Sequence, residues 1–115
     1  YKSGWLRVLV RTVSLDGFLS AYDGQIDFIK IDTQGHETSV LEGARKTLEK
    51  SASVKMLVEL FPAGLAENRK TATDLISLIR ESGFAIRWPK REVINSCTAE
   101  NGRHCNLYAV KGKTK

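Results

Sequence analysis

Residues 26–44 read IDFIKIDTQGHETSVLEGA, and the hydrophobic period changes inside this stretch. The short apolar run at residues 26–31 ends at Asp32 and predicts a strand. Thr33-Gln34-Gly35 is then a tight connection. From His36 to Lys50, the residues Val40, Leu41, Ala44 and Leu48 fall on one stripe at i, i+1, i+4 and i+8, which predicts a helix. Glu37 stands in its first turn and Lys46 and Lys50 near its end, as the helix dipole prefers. A strand that turns tightly into a helix is the unit from which α/β sheets are built.

Outward from this unit the alternation continues. Downstream, residues 54–61 (VKMLVELF) read as a second strand, stopped by Pro62 and Gly64. A polar stretch at residues 66–70 leads to a helical pattern over residues 71–82, with Leu75, Ile76 and Ile79 facing the core and Gly83 as the stop. Residues 84–88 (FAIRW) alternate as a strand. Residues 92–111 suggest two strands around Asn101-Gly102, a pair favoured in hairpin turns. Upstream, residues 5–13 (WLRVLVRTV) are rich in β-branched residues and predict a strand. Ser14-Leu15-Asp16-Gly17 follows as a helix entry, with Phe18, Leu19 and Tyr22 at helical spacing. The expected fold class is α/β, with a mostly parallel sheet and an antiparallel C-terminal hairpin. The runs IDFIKI and VKMLVEL fit strands buried on both faces.

The totals suit one domain over residues 1–115: 42% of residues are hydrophobic and 27% charged. No apolar run reaches the length of a membrane span, and the polar opening residues do not make a signal peptide. Because the chain does not begin with Met, it is expected either to have lost a tag or to be a piece of something longer. The net charge of +5 is concentrated toward the C-terminal end, in residues such as Arg87, Lys90, Arg91 and Lys111. Scattered solvated charge explains this better than nucleic-acid binding, since no arginine-rich run or interleaved aromatics accompany it. Cys97 and Cys105 make no disulfide framework, so the expected compartment is the cytoplasm. With His104 between them, they lack the spacing and fourth ligand of a zinc site, and two free thiols and no metal are expected.

Ligands of open α/β sheets bind beyond the C-terminal strand ends, where two acids stand here. Asp32 ends one predicted strand and Glu59 lies near the end of the next. If the strands are neighbours, the carboxylates share a crevice and can ligate a divalent cation, accept hydroxyls or act as a general base. The alternative has Asp32 accepting backbone N–H groups in its turn and Glu59 paired with a lysine. His36 can serve as a base near the same crevice, or stand exposed in a first helical turn. Gly35 most simply permits a turn with positive φ. Asp16 either bonds a ligand hydroxyl or amine, or caps the helix after it. No GxGxxG, P-loop or GxSxG sequence is present, which argues against a dinucleotide fingerprint and the usual hydrolase elbow.

The stretch IDFIKIDTQGHETSVLEGA resembles the signature of FkbM-family methyltransferases, in which a strand ending Lys-Ile-Asp leads through an acid-Gly-x-Glu turn into a helix ending Leu-x-Gly-Ala. Ser14-Leu15-Asp16, Leu57-Val58-Glu59 and the segment NLYAV at residues 106–110 resemble that family's flanking elements. The resemblance implies a class I methyltransferase sheet, S-adenosylmethionine as cofactor, and methylation of a hydroxyl on a sugar, polyketide or related small molecule. It places Asp32 and Glu37 on the family's acids, Lys30 on the lysine before the aspartate, and Asp16 near the adenine end of the cofactor. Gln34 stands where the family usually has glutamate. The expected catalytic residues are thus Asp32, Glu59 and His36, and the expected cofactor-binding residues Asp16, Asp32 and Gln34. The glycine-rich first strand and the ribose-binding acid of the family would lie upstream of Tyr1. The resemblance therefore implies a C-terminal half-domain, completed by a homodimer partner or by a chain supplying the missing half. The competing expectation is a non-catalytic remnant serving as a binding or oligomerisation module.

Overall fold

A computed structural model describes residues 4, 6–99 and 103–112. Its sheet has four strands in the order β1-β2-β4-β3, where β1 is Phe28–Ile31, β2 Lys55–Leu60, β3 Phe84–Trp88 and β4 Cys105–Lys111. Among the described residues there are six helices: α1 Leu15–Phe18, which precedes β1, and α2 Glu37–Glu42, α3 Arg45–Lys50, α4 Pro62–Glu67, α5 Ala72–Glu81 and α6 Arg91–Ala99 between the strands. Only β1 and β2 run parallel, with Ile29 opposite Met56 and Ile31 opposite Val58. Strand β4 runs antiparallel to both β2 and β3. The α/β class is as expected, but the sheet is mixed rather than mostly parallel.

The register sorts the side chains onto two faces. Ile31, Met56, Val58, Leu60, Leu107 and Ala109 share one face and pack against Leu41, Leu48, Leu65, Leu75 and Ile79 of the helices. This layer is the core, and its members are all nearly or completely buried. The other face carries Phe28, Lys30, Leu57, Tyr108 and Val110, none of them fully buried, together with the buried Glu59 and Ala85. The expectation of strands buried on both faces is therefore corrected. β1 lies at the sheet edge, and Phe28 remains 54% exposed.

Three predicted elements change. Residues 6–14 form no strand, and Trp5 lies outside the described residues. Among the described residues they find no neighbouring strand, so β propensity alone leaves them irregular and exposed to solvent. The final hairpin is instead helix α6 followed by β4, and Asn101-Gly102 lies outside the described residues. Ile94 and Cys97, three residues apart, pack one face of α6 on the core, so helical spacing overrode the β-branched composition. Residues 62–67, just past the predicted strand stop, form a helix that begins at Pro62, whose fixed φ suits the first helical turn.

The helix expected over residues 36–50 is two helices, and the cause is Asp16. Its backbone N–H donates to Gly43 O at 2.8 Å, the carbonyl that Thr47 would use in a continuous helix. Its carboxylate instead accepts from Thr47 N at 2.8 Å, Thr47 Oγ1 at 2.8 Å and Lys46 N at 3.0 Å. Asp16 thus caps α3 from a distant segment. It does not cap α1, whose cap is Ser14 accepting from Gly17 N at 3.0 Å. Thr71 and Asp74 form a reciprocal capping box at the start of α5. Among the described residues, no helix is long and apolar enough to cross a membrane.

Candidate functional site

The parallel pairing of β1 and β2 brings their C-terminal ends to one edge of the sheet. Strand β4 enters at the same edge, because antiparallel pairing puts Cys105 opposite Leu60 and Asn106 opposite Glu59. Four polar residues meet there: Asp32 just past β1, Gln34 in the following turn, Glu59 in β2, and His104 just before β4.

Gln34 ties the acids together. Its Nε2 donates to Asp32 Oδ1 at 3.0 Å and to Glu59 Oε1 and Oε2 at 2.9 and 3.2 Å. Gln34 adopts a left-handed backbone, with φ of 55°, which aims its side chain across the strand ends. The turn behind it is shaped by Glu37. That buried carboxylate accepts from Thr33 N at 2.8 Å, Thr33 Oγ1 at 2.7 Å and Gly35 N at 3.1 Å. Asn68 Nδ2 adds a bond to Gly35 O at 3.1 Å and so ties the turn to α4.

Glu59 is only 7% exposed, and burial pushes its carboxyl above the usual range. A hydrogen bond between it and Asp32, together with the negative charges of Asp32 and Glu37, pushes in the same direction; the Gln34 bond opposes it. Glu59 is therefore the buried member of the pair, and Asp32 is its exposed partner. His104 faces Glu59 with Nδ1 3.9 Å from Oε2, and its ring meets Phe61 edge-on at 6.2 Å.

The other expected site residues lie elsewhere. His36 is exposed at the start of α2, where its side chain makes no cap bond. It lines a separate cleft of about 810 Å³ beside the free edge of β1, together with Leu15, Phe18, Ile29, Thr33 and Val40. Asp16 spends its carboxylate on the start of α3. Partial burial favours its neutral form, but the N–H groups of Thr47 and Lys46, the Thr47 hydroxyl and the Lys46 charge outweigh this and lower its pKa. The structure therefore gathers Asp32, Gln34 and Glu59, and does not bring His36 or Asp16 to them.

His104 is the site residue that sequence reading did not place. A hairpin at residues 92–111 would have kept it beside the cysteines. Only the antiparallel return of β4 along β2 carries it to the acids, and that pairing is not local. The two cysteines are free. Cys97 is buried on α6, its thiol bonded to Leu60 O at 3.6 Å. Cys105 has its thiol pushed up to about 12 by burial and by the neighbouring Cys97, so it holds no reactive thiolate at neutral pH.

Comparison with curated proteins and with solved structures finds no match. The family comparison is positive: residues 6–86 of the 115 match the methyltransferase FkbM domain, a span that includes Asp32, Gln34, Glu37 and Glu59. With its Lys-Ile-Asp strand end, the turn organised by Glu37 and most of its length inside that match, the chain belongs to the FkbM methyltransferase domain family.

Proposed function

We propose that this chain is the acceptor side of an S-adenosylmethionine-dependent O-methyltransferase of the class I fold, in which Asp32 receives the proton of a small-molecule hydroxyl. The observation that carries this reading is the carboxyl pair at the strand ends, bridged by Gln34, with Glu59 buried and Asp32 exposed. A hydroxyl oxygen becomes a better nucleophile as its proton moves to a positioned base. Gln34 and Glu59 hold that base in one orientation, which limits the rotation it would lose on binding.

The residues beside β1 offer one wall of a cofactor site. The cleft has an apolar lining from Leu15, Phe18, Ile29 and Val40, interrupted by Thr33, Ser39 and His36. Its size and mixture suit a nucleoside-sized ligand. The cofactor, when bound, supplies an electrophilic methyl group. Asp16 is not part of this wall, since its oxygens already hold the N-terminus of α3. The opposite wall would come from further strands, supplied by more of the domain or by a second copy, placed against the free edge of β1.

The test is the melting temperature with and without S-adenosylhomocysteine. A ligand that binds only the folded state at a hundred times its Kd adds about 2.7 kcal/mol, which for a domain of this size is roughly 10 °C. A saturable rise supports the cofactor reading and turns the search to acceptors. No rise at roughly 1 mM ligand, a weak-affinity threshold, rejects binding by this chain alone. The second reading, a non-catalytic binding module, then takes precedence. It is favoured by the uncovered sheet face with the exposed Phe28.

A further inference from the structure

Each methyl transfer onto a hydroxyl releases one proton. Glu59 and Asp32 can receive it, but Glu59 is nearly buried and must pass the proton on before the pair can work again. Two titratable groups at the site have both a face on Glu59 and a face on water: Asp32, which the acceptor hydroxyl engages in the reading above, and His104. The His104 side chain is 62% exposed, against 8% for Glu59, and its Nδ1 lies 3.9 Å from Glu59 Oε2. Edge-on contact with Phe61 orients the ring.

We propose that His104 is a positioning residue for this site: its imidazole is the group through which the Asp32–Glu59 pair exchanges its proton with solvent. The inference rests on the acceptor-side reading above and extends it to a residue outside the family match, which ends at residue 86. The path is short. The hydroxyl proton passes to the carboxyl pair, then from Glu59 Oε2 to His104 Nδ1, and from the imidazole to water. The separation of 3.9 Å is spanned by a small rotation of the exposed ring or by one bridging water. The charged groups that face Glu59 are Asp32 at the end of β1, Glu37 of α2 and His104 before β4. His104 is the single basic group among them, and its exposed ring gives a proton arriving there a direct route to solvent.

The experiment follows the Glu59 carboxyl by ¹³C NMR as a function of pH in the wild type and in His104→Gln, with no cofactor or acceptor present. A cationic imidazole opposite Glu59 favours its carboxylate, so removing it should raise the Glu59 titration midpoint by about half a pH unit. His104→Lys keeps a positive charge at that place and should return the midpoint to the wild-type value or below. His36→Gln removes an imidazole from the other cleft and should leave it unchanged. An unchanged midpoint in His104→Gln, or an equal change in His36→Gln, overturns the proposal. Because His104 is exposed, its variants are expected to melt within a degree or two of wild type, so a lost fold does not obscure the result. The titration uses neither ligand, so its failure is distinct from a failure to bind S-adenosylhomocysteine.

Discussion

At Gly35 the backbone φ is +114°, and a Cβ built there would lie 2.2 Å from the carbonyl oxygen of Gly64. The turn can therefore accept no side chain, for a conformational reason and a steric one. Gly83 has a similar φ of +91°, but nothing lies within 4 Å of its missing Cβ. Gly83→Ala should thus cost about 1–2 kcal/mol from backbone strain alone, and Gly35→Ala about 3 kcal/mol or more. Urea unfolding measures both. Equal costs would mean that the contact between the Thr33–Gly35 turn and α4 is looser than described. At this scale much of the site was legible in the sequence. Asp32 and Glu59 could be placed because strands end in a predictable way, and Gly35 because a tight strand-to-helix turn needs positive φ. Gln34 was expected to touch a ligand, whereas its amide bridges the two acids, a bond 25 positions apart in the chain that no local pattern encodes.

Helices α2 and α3 show how an element can be read correctly in period and wrongly in extent. The apolar stripe of Val40, Leu41, Ala44 and Leu48 is real, and three of its four members are fully buried. The break near Gly43 is imposed from outside by Asp16, 31 positions before Thr47. Periodicity carries no information about such a contact, which explains why capping was foreseen for Asp16 but for the wrong helix. Asp16→Ala removes all three carboxylate bonds to the start of α3 and should destabilise the fold by about 1–2 kcal/mol at neutral pH, while Asp16→Asn should cost less than half of that. The pH dependence has a definite sign. The folded-state pKa of Asp16 is lowered, so its stabilisation is present above the unfolded carboxyl value near 3.8 and is lost as pH falls through the lower folded value. The gap between wild type and Asp16→Ala in thermal melts should therefore be full at pH 7 and close toward pH 2. A gap that persists unchanged in acid would assign the effect to packing rather than to the carboxylate.

Considered as a whole, the molecule has a finished side and an open one. Helices α2, α3, α4 and α5 cover one sheet face, β3 closes one edge, and the free edge of β1 and the face bearing Phe28 remain uncovered. The α/β class and the strand-end site were legible because both follow from the alternation of periods. The direction of β4 and the open edge were not, since strand order depends on pairings between distant segments. Thr12 and Val13 line the cleft beside this edge, and the rest of residues 6–13 is exposed, Leu6 to 89% and Leu9 to 101%. A β-branched apolar segment with no strand to join and a strand edge with no neighbour are complementary, and both belong to the same chain. We therefore expect this chain by itself to associate, residues 6–13 of one copy lying along β1 of another. Sedimentation velocity at rising concentration should show dimer growing at the expense of monomer. Placing lysines at Val8 and Val10 should weaken the dimer at least about tenfold, because each exchanges a burial worth about 1.5–3 kcal/mol for a charge. The same substitutions should leave the melting temperature of the dilute monomer unchanged, since Val8 and Val10 are exposed in the single chain. A sample that stays monomeric at high concentration would show that the edge is protected in this chain. Dimers insensitive to the lysines would move the contact to the uncovered face around Phe28 and Tyr108, and leave residues 6–13 for another part of the domain.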